Sequence, residues 1–458
     1  MILAALMALG CVQAVSATPS PTETARTGPA QPNVMIVLAD DLSERDIDRI
    51  ETPHFDAMAA KGLRFRRAYA NPTCSPSRWS LHFGQYHTQD AGPVCKGIGN
   101  PPALDQLSLP KVFGAAGYRT GLFGKWHLGS HPGVEKGEPW EETPRLHGYH
   151  TWRAGMPVNT GSCGGRSVNE WLRVDDGHAQ MSKAYVNDAI RDAFLEWHAA
   201  HEAAEGPWFA LMSFQAPHAP RHFPPGTPPR ERKPSAQSRY TSQVRSLDRD
   251  LATLLDAVDL ERTLVIFVGD NGAPMGSPGY LQEPGKCKRT TFEGGIRVPM
   301  VAMGPGVPAG VETQSLVHLA DFLPTFAELV ASELDPANPV APVGSDTRRS
   351  ELGGLDGASF LPVFDATDAV VRDYVWTGVG SGPQGEFAVV TTSHKLRRDG
   401  RGELHLFDLD ADPFEEHNLA ASEEHAALLA ALAQVLERHV LERFPDRAED
   451  VDEDEASR

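Results

Sequence analysis

The sequence predicts an α/β protein, a large mixed and mostly parallel sheet flanked by helices, followed by a smaller C-terminal α+β domain. Three observations carry this expectation. NVMIVLA (33–39) and TLVIFVG (263–269) are short apolar runs rich in β-branched residues, and each stops abruptly at polar pairs, Asp40-Asp41 and Asp270-Asn271. Strands buried on both faces read this way, and their carboxyl ends open into a site. Between them, Val244, Leu247, Leu251, Leu254, Leu255 and Val258 recur at helical spacing, so helices alternate with strands. Beyond about residue 345, EFAVVTT, HKLRR and ELHLFDL read instead as antiparallel strands of a separate small domain.

Taken in order, MILAALMALGCVQAVSA (1–17) is an apolar stretch ending in small residues and fits a secretory signal peptide. It is too short for a membrane span. Ala8-Leu9-Gly10-Cys11 offers lipidation at Cys11 as the minor alternative, and either processing implies a periplasmic or secreted protein. Residues 18–32, rich in Thr, Ser, Pro and Ala, read as a flexible spacer. The catalytic domain is expected over 33–345. Within it WFALMSF (208–214) is a third buried strand ending at Gln215-Ala216-Pro217-His218, FPPGTPPRERK (223–233) is too proline-rich for either element and forms a surface loop, and 240–258 is a helix. The small domain is expected over 346–445, with a turn-rich stretch at 410–418 and an amphipathic helix near 423–443. DRAEDVDEDEASR (446–458) is a solvated acidic tail.

Composition narrows the function. A chain of 458 residues with 41% hydrophobic content can bury a large core, and a formal charge of -19 excludes nucleic acid as the main partner. An anionic substrate therefore needs a local basic pocket. Five cysteines, with no C-x-x-C pair, exclude a disulfide scaffold and a zinc or iron–sulfur site. Cys95, Cys163 and Cys287 allow at most one bridge.

The chemistry is concentrated in short motifs. Cys74-Ser75-Pro76-Ser77-Arg78 places a thiol ahead of a proline turn and four residues from an arginine, which reads as a reactive group beside a fixed positive charge. Asp40, Asp41, Asp270 and Asn271 offer only oxygen donors, so an ion held there is a hard divalent cation, calcium or magnesium. Lys125, His127, His218 and Lys288 stand in Gly- or Pro-flanked loops, where backbone is fixed for display rather than core packing. Glu293-Gly294-Gly295-Ile296-Arg297-Val298-Pro299 reads as a tight turn entering a strand.

VMIVLADD, CSPSRWSLHFG, GKWHLG, APHAP, GDNG, KRTTFEGGIRVP and VHLADFLPT occur in the order seen in the type I sulfatases, a formylglycine-dependent branch of the alkaline-phosphatase-like superfamily. The chain resembles that family from about Asn33 to Leu419, departing after the C-x-P-S-R core where Phe83 and Gln85 replace the usual threonine and arginine. The resemblance implies that Asp40, Asp41, Asp270, Asn271 and an oxygen on residue 74 ligate the cation, and that a formylglycine-generating enzyme oxidises Cys74. It further implies that a hydrate hydroxyl on residue 74, polarised by the cation and Arg78, attacks sulfur. Lys125, Lys288 and protonated His218 would surround the sulfate oxygens, with His218 or Lys288 protonating the leaving oxygen. His127 would take the second hydroxyl proton, and Asp270 would double as a base.

The expected substrate is an organic sulfate ester, small-molecule or oligosaccharide, with carbohydrate favoured because Trp140, Trp152 and Trp171 and several arginines suit a sugar face. Two alternatives stay open on the sequence, a phosphonate or phosphate ester hydrolase and a non-catalytic homologue that binds sulfated glycans.

Overall fold

The structure, a computed structural model, describes residues 31–88, 102–129, 139–160, 167–201, 206–281, 283, 285–330 and 354–444. The signal peptide, most of the spacer, the acidic tail, Cys11, Cys95 and Cys163 lie outside them. Cys287 is a free, buried thiol. Among the described residues no helix is long and apolar enough to cross a membrane.

Sixteen strands are described: β1 (Asn33–Asp40), β2 (Leu63–Phe65), β3 (Ala68–Tyr69), β4 (Arg119–Lys125), β5 (Thr151–Met156), β6 (Trp171–Asp175), β7 (His178–Ser182), β8 (Trp208–Pro217), β9 (Thr263–Gly269), β10 (Met300–Met303), β11 (Val311–Thr313), β12 (Val317–His318), β13 (Val375–Val379), β14 (Glu386–Val390), β15 (His394–Arg398) and β16 (Leu404–Asp408). Ten form one sheet in the order β11-β2-β10-β9-β1-β8-β4-β5-β6-β7. Its centre, β9-β1-β8-β4-β5, is parallel throughout, and antiparallel partners, β10 on one side and β6-β7 on the other, extend it into a mixed sheet.

The central strands are apolar on both faces because helices cover both. Val34, Ile36 and Leu38 pack on one side with Phe113, Phe322 and Phe326, while Met35, Val37 and Ala39 pack on the other with Ile190, Leu247 and Leu251. That two-sided burial is why the runs are continuous rather than alternating. The helix Ala236–Ala257 begins one turn before the expected 240, because Ser235 caps it by accepting a bond from the Ser238 amide at 3.0 Å. The proline-rich 223–233 segment holds only a short 3₁₀ turn, Pro229–Glu231.

Strands β13-β14-β15-β16 form a separate antiparallel sheet. Trp376, Phe387, Val389, Leu396 and Leu406 pack against Leu432, Leu436 and Val440 of the helix Ala426–Arg443, and against Tyr86 from the large domain. Leu355, Phe360, Leu361 and Val363 pack into the core of the large sheet, and the small sheet begins at Val375. Trp152 and Trp171 are fully buried core, and Trp140 is half-buried against it, so Trp152 and Trp171 present no face for a sugar to stack on. Their strands, β5 and β6, turn these large rings inward.

Candidate active site

Sheet order assembles the site. In β1 and β9 the register pairs Ala39 with Gly269, so Asp40-Asp41 and Asp270-Asn271 emerge side by side at the same edge. The Asp270 amide donates to the Ala39 carbonyl at 2.8 Å and the Asp41 amide donates to Asp270 Oδ1 at 3.2 Å. Lys125 ends β4 and His218 follows β8, placing both beside the acidic pairs. Asp41 and His127 have left-handed backbone, φ 72° and 62°, a cost of about 1–3 kcal/mol each that tends to gather at functional sites.

Residue 74 enters from above. Cys74 is the first residue of the helix Cys74–Phe83, which tolerates Pro76 in its first turn and ends at Gly84 with φ 66°, the left-handed cap that glycine adopts freely. Cys74 and Arg78, four apart, share a face. Arg78 is buried and fully used. Its Nε and Nη2 donate to Asp270 Oδ2 at 3.1 and 2.9 Å, and its Nη1 donates to the Lys125 carbonyl at 3.0 Å and to Ser213 Oγ at 2.6 Å.

Cys74 Sγ lies 3.3 Å from Asp40 Oδ1 and 3.9 Å from Asp41 Oδ1, and Lys288 Nζ donates to it at 3.1 Å. Lys288 also bonds Asp41 Oδ1, Lys125 Nζ bonds Asp40 Oδ2, and His218 Nε2 stands 3.8 Å from Asp41 Oδ2. Asp40, Asp41, Cys74, His218, Asp270, Asn271, Arg78, Lys125 and Lys288 thus converge in one place. His127 stands two residues beyond Lys125, the last residue of β4, at the same edge of the sheet.

The electrostatics revise two expectations. Cys74 is not an activated thiol: burial, then the carboxylates of Asp270 and Asp40, push its pKa well above the ordinary range, because Arg78 is already engaged by Asp270. His218 is not protonated either. Burial lowers its pKa, and Lys288 and Lys125 add to that against the pull of Asp41 and Asp40. Its Nδ1 lies 2.7 Å from the Ala219 carbonyl and therefore carries the hydrogen, leaving Nε2 to accept from Asn159 Nδ2 at 3.2 Å. Asn159, in GMPVNTG, is a site residue outside the expected set. The family resemblance places a polar substrate contact near this stretch, but the match of GMPVNTG to it is too loose to fix the residue, and only the structure sets Asn159 beside His218.

The other groups follow the same logic. Burial opposes ionisation of Asp40, but Lys125, His218, Arg78 and Lys288 together hold its pKa well below the usual range. Burial and the neighbouring Asp40 charge push Asp270 up to about 6. Lys288 keeps its proton, since Asp41, Cys74 and Asp40 outweigh its desolvation. Burial, then Lys125 and Arg78, drive His127 well below the usual histidine range, so it is neutral, and its buried Nδ1 has no hydrogen-bond partner.

The donors suit a divalent cation. One atom each of Asp40, Asp41, Cys74 and His218 lies within 4.8 Å of the others, and Asn271 Oδ1 is buried without a partner while its Nδ2 donates to Asp41 and to the Gly272 carbonyl. An orphaned amide oxygen beside two carboxylates is the donor that a hard cation satisfies. Asp40, Asp41 and Asp270 facing Arg78, Lys125 and Lys288 leave no net charge, and a divalent ion would make the pocket positive inside an acidic protein.

This fold and site define a hydrolase of anionic esters. The Sulfatase family model matches residues 32–332, and the chain belongs to the sulfatase family, as a sulfuric ester hydrolase on the alkaline-phosphatase-like fold. It is 31% identical to N-acetylgalactosamine-6-sulfatase of Canis lupus familiaris across 90% of this chain and 86% of the relative. It is 27% identical to human arylsulfatase A, covering 88% and 87%. A crystal structure of Ps i-CgsB with k-i-k-neocarrahexaose superposes with a TM-score of 0.72 at 22% identity, covering 90% of this chain and 93% of that one.

Proposed function

We propose that this sulfatase is an exported enzyme that hydrolyses a sulfated carbohydrate, with residue 74 converted from cysteine to formylglycine by a dedicated maturation enzyme. Asp40, Asp41, Asp270 and Asn271 would hold a calcium or magnesium ion with residue 74. The ion supplies positive charge to the ester oxygens, and the hydrated aldehyde supplies an oxygen nucleophile where the buried thiol cannot ionise. Lys125 and Lys288 grip the sulfate oxygens and offset the charge that grows on them in the transition state. Arg78 fixes Asp270 and backs the nucleophile. Lys288 holds a proton in the free protein and is the donor to the leaving oxygen, while neutral His127 accepts a proton through its unpartnered Nδ1. His218, oriented by the Ala219 carbonyl and Asn159, contacts the ester.

The observation that carries this reading is the convergence of Lys288, Asp40 and Asp41 on the Cys74 side chain. The sugar preference rests on the relatives' substrate names.

Protein produced with a formylglycine-generating enzyme is expected to show, by peptide mass spectrometry, sulfur lost from residue 74 and an aldehyde oxygen gained. It should also desulfate members of a panel of sulfated mono- and oligosaccharides. An unmodified thiol under those conditions marks a binding protein. A higher kcat/KM for aryl phosphate or phosphonate than for aryl sulfate reassigns the reaction.

A further inference from the structure

The loop 286–293, which carries Lys288, is held at both ends by the small domain. On the entering side, Lys286 Nζ donates to the carbonyls of Phe414 and Glu415, at 2.5 and 3.1 Å. On the leaving side, Glu386 of β14 accepts from both the amide and the hydroxyl of Thr291, at 2.5 and 2.7 Å. Lys395 of β15 donates to the Thr291 carbonyl at 3.1 Å and pairs with Glu293 Oε1 at 2.7 Å and Glu415 Oε1 at 2.8 Å. Glu415 closes the circuit by accepting from the Glu293 amide at 2.7 Å.

Lys395 has no solvent exposure, and Glu293 and Glu415 are almost as buried. A buried ammonium between two buried carboxylates is poor evidence for stability, since desolvation offsets much of the attraction. Its geometry does fix register. The lysine stem reaches from a strand of one domain to a carbonyl three residues from Lys288 in the other. Between those anchors, two backbone bonds tie the loop to the large domain, from the Lys288 amide to Ala273 and from the Arg289 amide to Pro72. The Lys288 side chain itself reaches Asp41 and Cys74, and Tyr69 and Arg297 donate to Glu293 at 3.3 and 3.4 Å.

We propose that Lys395, with Glu415 and Glu386, is a positioning residue that sets Lys288 against the ester, making the small domain part of the active site. The proposal rests on the role assigned to Lys288 above. Lys395 touches neither residue 74 nor the ion ligands, and acts only through the loop.

The test is a double-mutant cycle in the full-length matured protein. E386A, and separately K395M/E415Q, which removes one charge of each sign, are each made in parent and K288A backgrounds and assayed on an aryl sulfate. In the parent background each is expected to lower kcat/KM at least about tenfold, in keeping with the cost of sub-ångström misplacement. In K288A the same changes should cost less than about twofold, because coupled residues are non-additive. Amide hydrogen exchange of residues 286–293 is expected to quicken in both variants while the central strands keep their protection, a readout that needs no turnover. Equal losses in both backgrounds, or unchanged exchange, overturn the proposal. A parent that cleaves no sulfate ester overturns the proposed function, and the exchange comparison still decides the clamp.

Discussion

At the scale of single residues, Arg78 shows how much one side chain can be asked to do. Its guanidinium satisfies Asp270, the Lys125 carbonyl and Ser213 at once, which a lysine ammonium cannot reproduce in the same plane. R78A leaves Asp270 and Asp40 buried and undercompensated and is expected to lower unfolding free energy by about 3–5 kcal/mol. R78K should unfold at a temperature between R78A and the parent while losing turnover on the order of a hundredfold. Calorimetry alongside aryl sulfate kinetics checks the ordering, and an R78K enzyme with parental turnover refutes it. K125A tests a different role. Lys125 faces Asp40 rather than the helix, so its removal is expected to cut kcat by about 10²–10³-fold, read by steady-state kinetics. These residues were legible because their short motifs survive as strings. His82 is a different case. It sits in the same helix between the Arg78 carbonyl and Tyr149, and burial holds its pKa near 3, so it is a neutral core histidine. Its apolar neighbours Leu81 and Phe83 contrast with the Gly- and Pro-flanked loops of His127 and His218.

Elements make their own demands. Gly294 packs so tightly that a Cβ there would meet the Lys286 carbonyl at 2.0 Å and the Tyr280 ring at 2.5 Å. G294A should displace the Lys288 loop and destabilise the fold by about 1–3 kcal/mol, with kcat/KM falling further than the change in melting temperature accounts for. The helices Val186–His201 and Ala236–Ala257 meet through Arg191 and Asp250, 2.8 Å apart, with Asp250 Oδ2 buried and unpartnered. Burial pushes the Asp250 carboxyl up to about 6 despite Arg191. The folded state therefore binds this proton more tightly than the unfolded chain. Its contribution to stability is complete below the ordinary carboxylate range and is lost as pH rises through about 6. D250N is thus expected to gain on the parent between pH 4 and pH 7.5 by about 1–3 kcal/mol, measured by denaturant unfolding at both values. A gap that does not change with pH sinks the argument. The element reading from sequence was accurate where burial was two-sided and long, as in β1, β8 and β9. It anticipated β10 after the turn at 293–299 but passed over β2, β3, β11 and β12, of two or three residues each, because runs that short carry no period. It also passed over the longer β4, β5, β6, β7 and β13.

For the whole molecule, the orphaned Asn271 amide oxygen beside the Asp40 and Asp41 carboxylates predicts a stability that depends on a divalent cation. After exhaustive chelation, adding calcium or magnesium should raise the melting temperature in a concentration-dependent way, by the equivalent of about 2.7 kcal/mol at a hundredfold excess over Kd. N271A, which removes the orphaned amide oxygen, should shift that titration to higher metal concentration, and a melting temperature indifferent to metal in the parent would refute the site. What the sequence determined alone is what local order can encode. Continuous apolar runs specify buried strands, oxygen-only pairs at their ends narrow any ion held there to a hard cation, and the motif order specifies the family. Tertiary structure decided the rest, because proximity across a sheet depends on strand order and not on spacing. The order β9-β1-β8-β4 brings Asp270, Asp40, His218 and Lys125 together from positions up to 230 residues apart, a separation the Asn271–Asp41 bond spans directly. Burial then set the protonation states, suppressing the Cys74 thiolate and leaving His218 neutral. Desolvation is a property of the surroundings, and those are written nowhere along the chain.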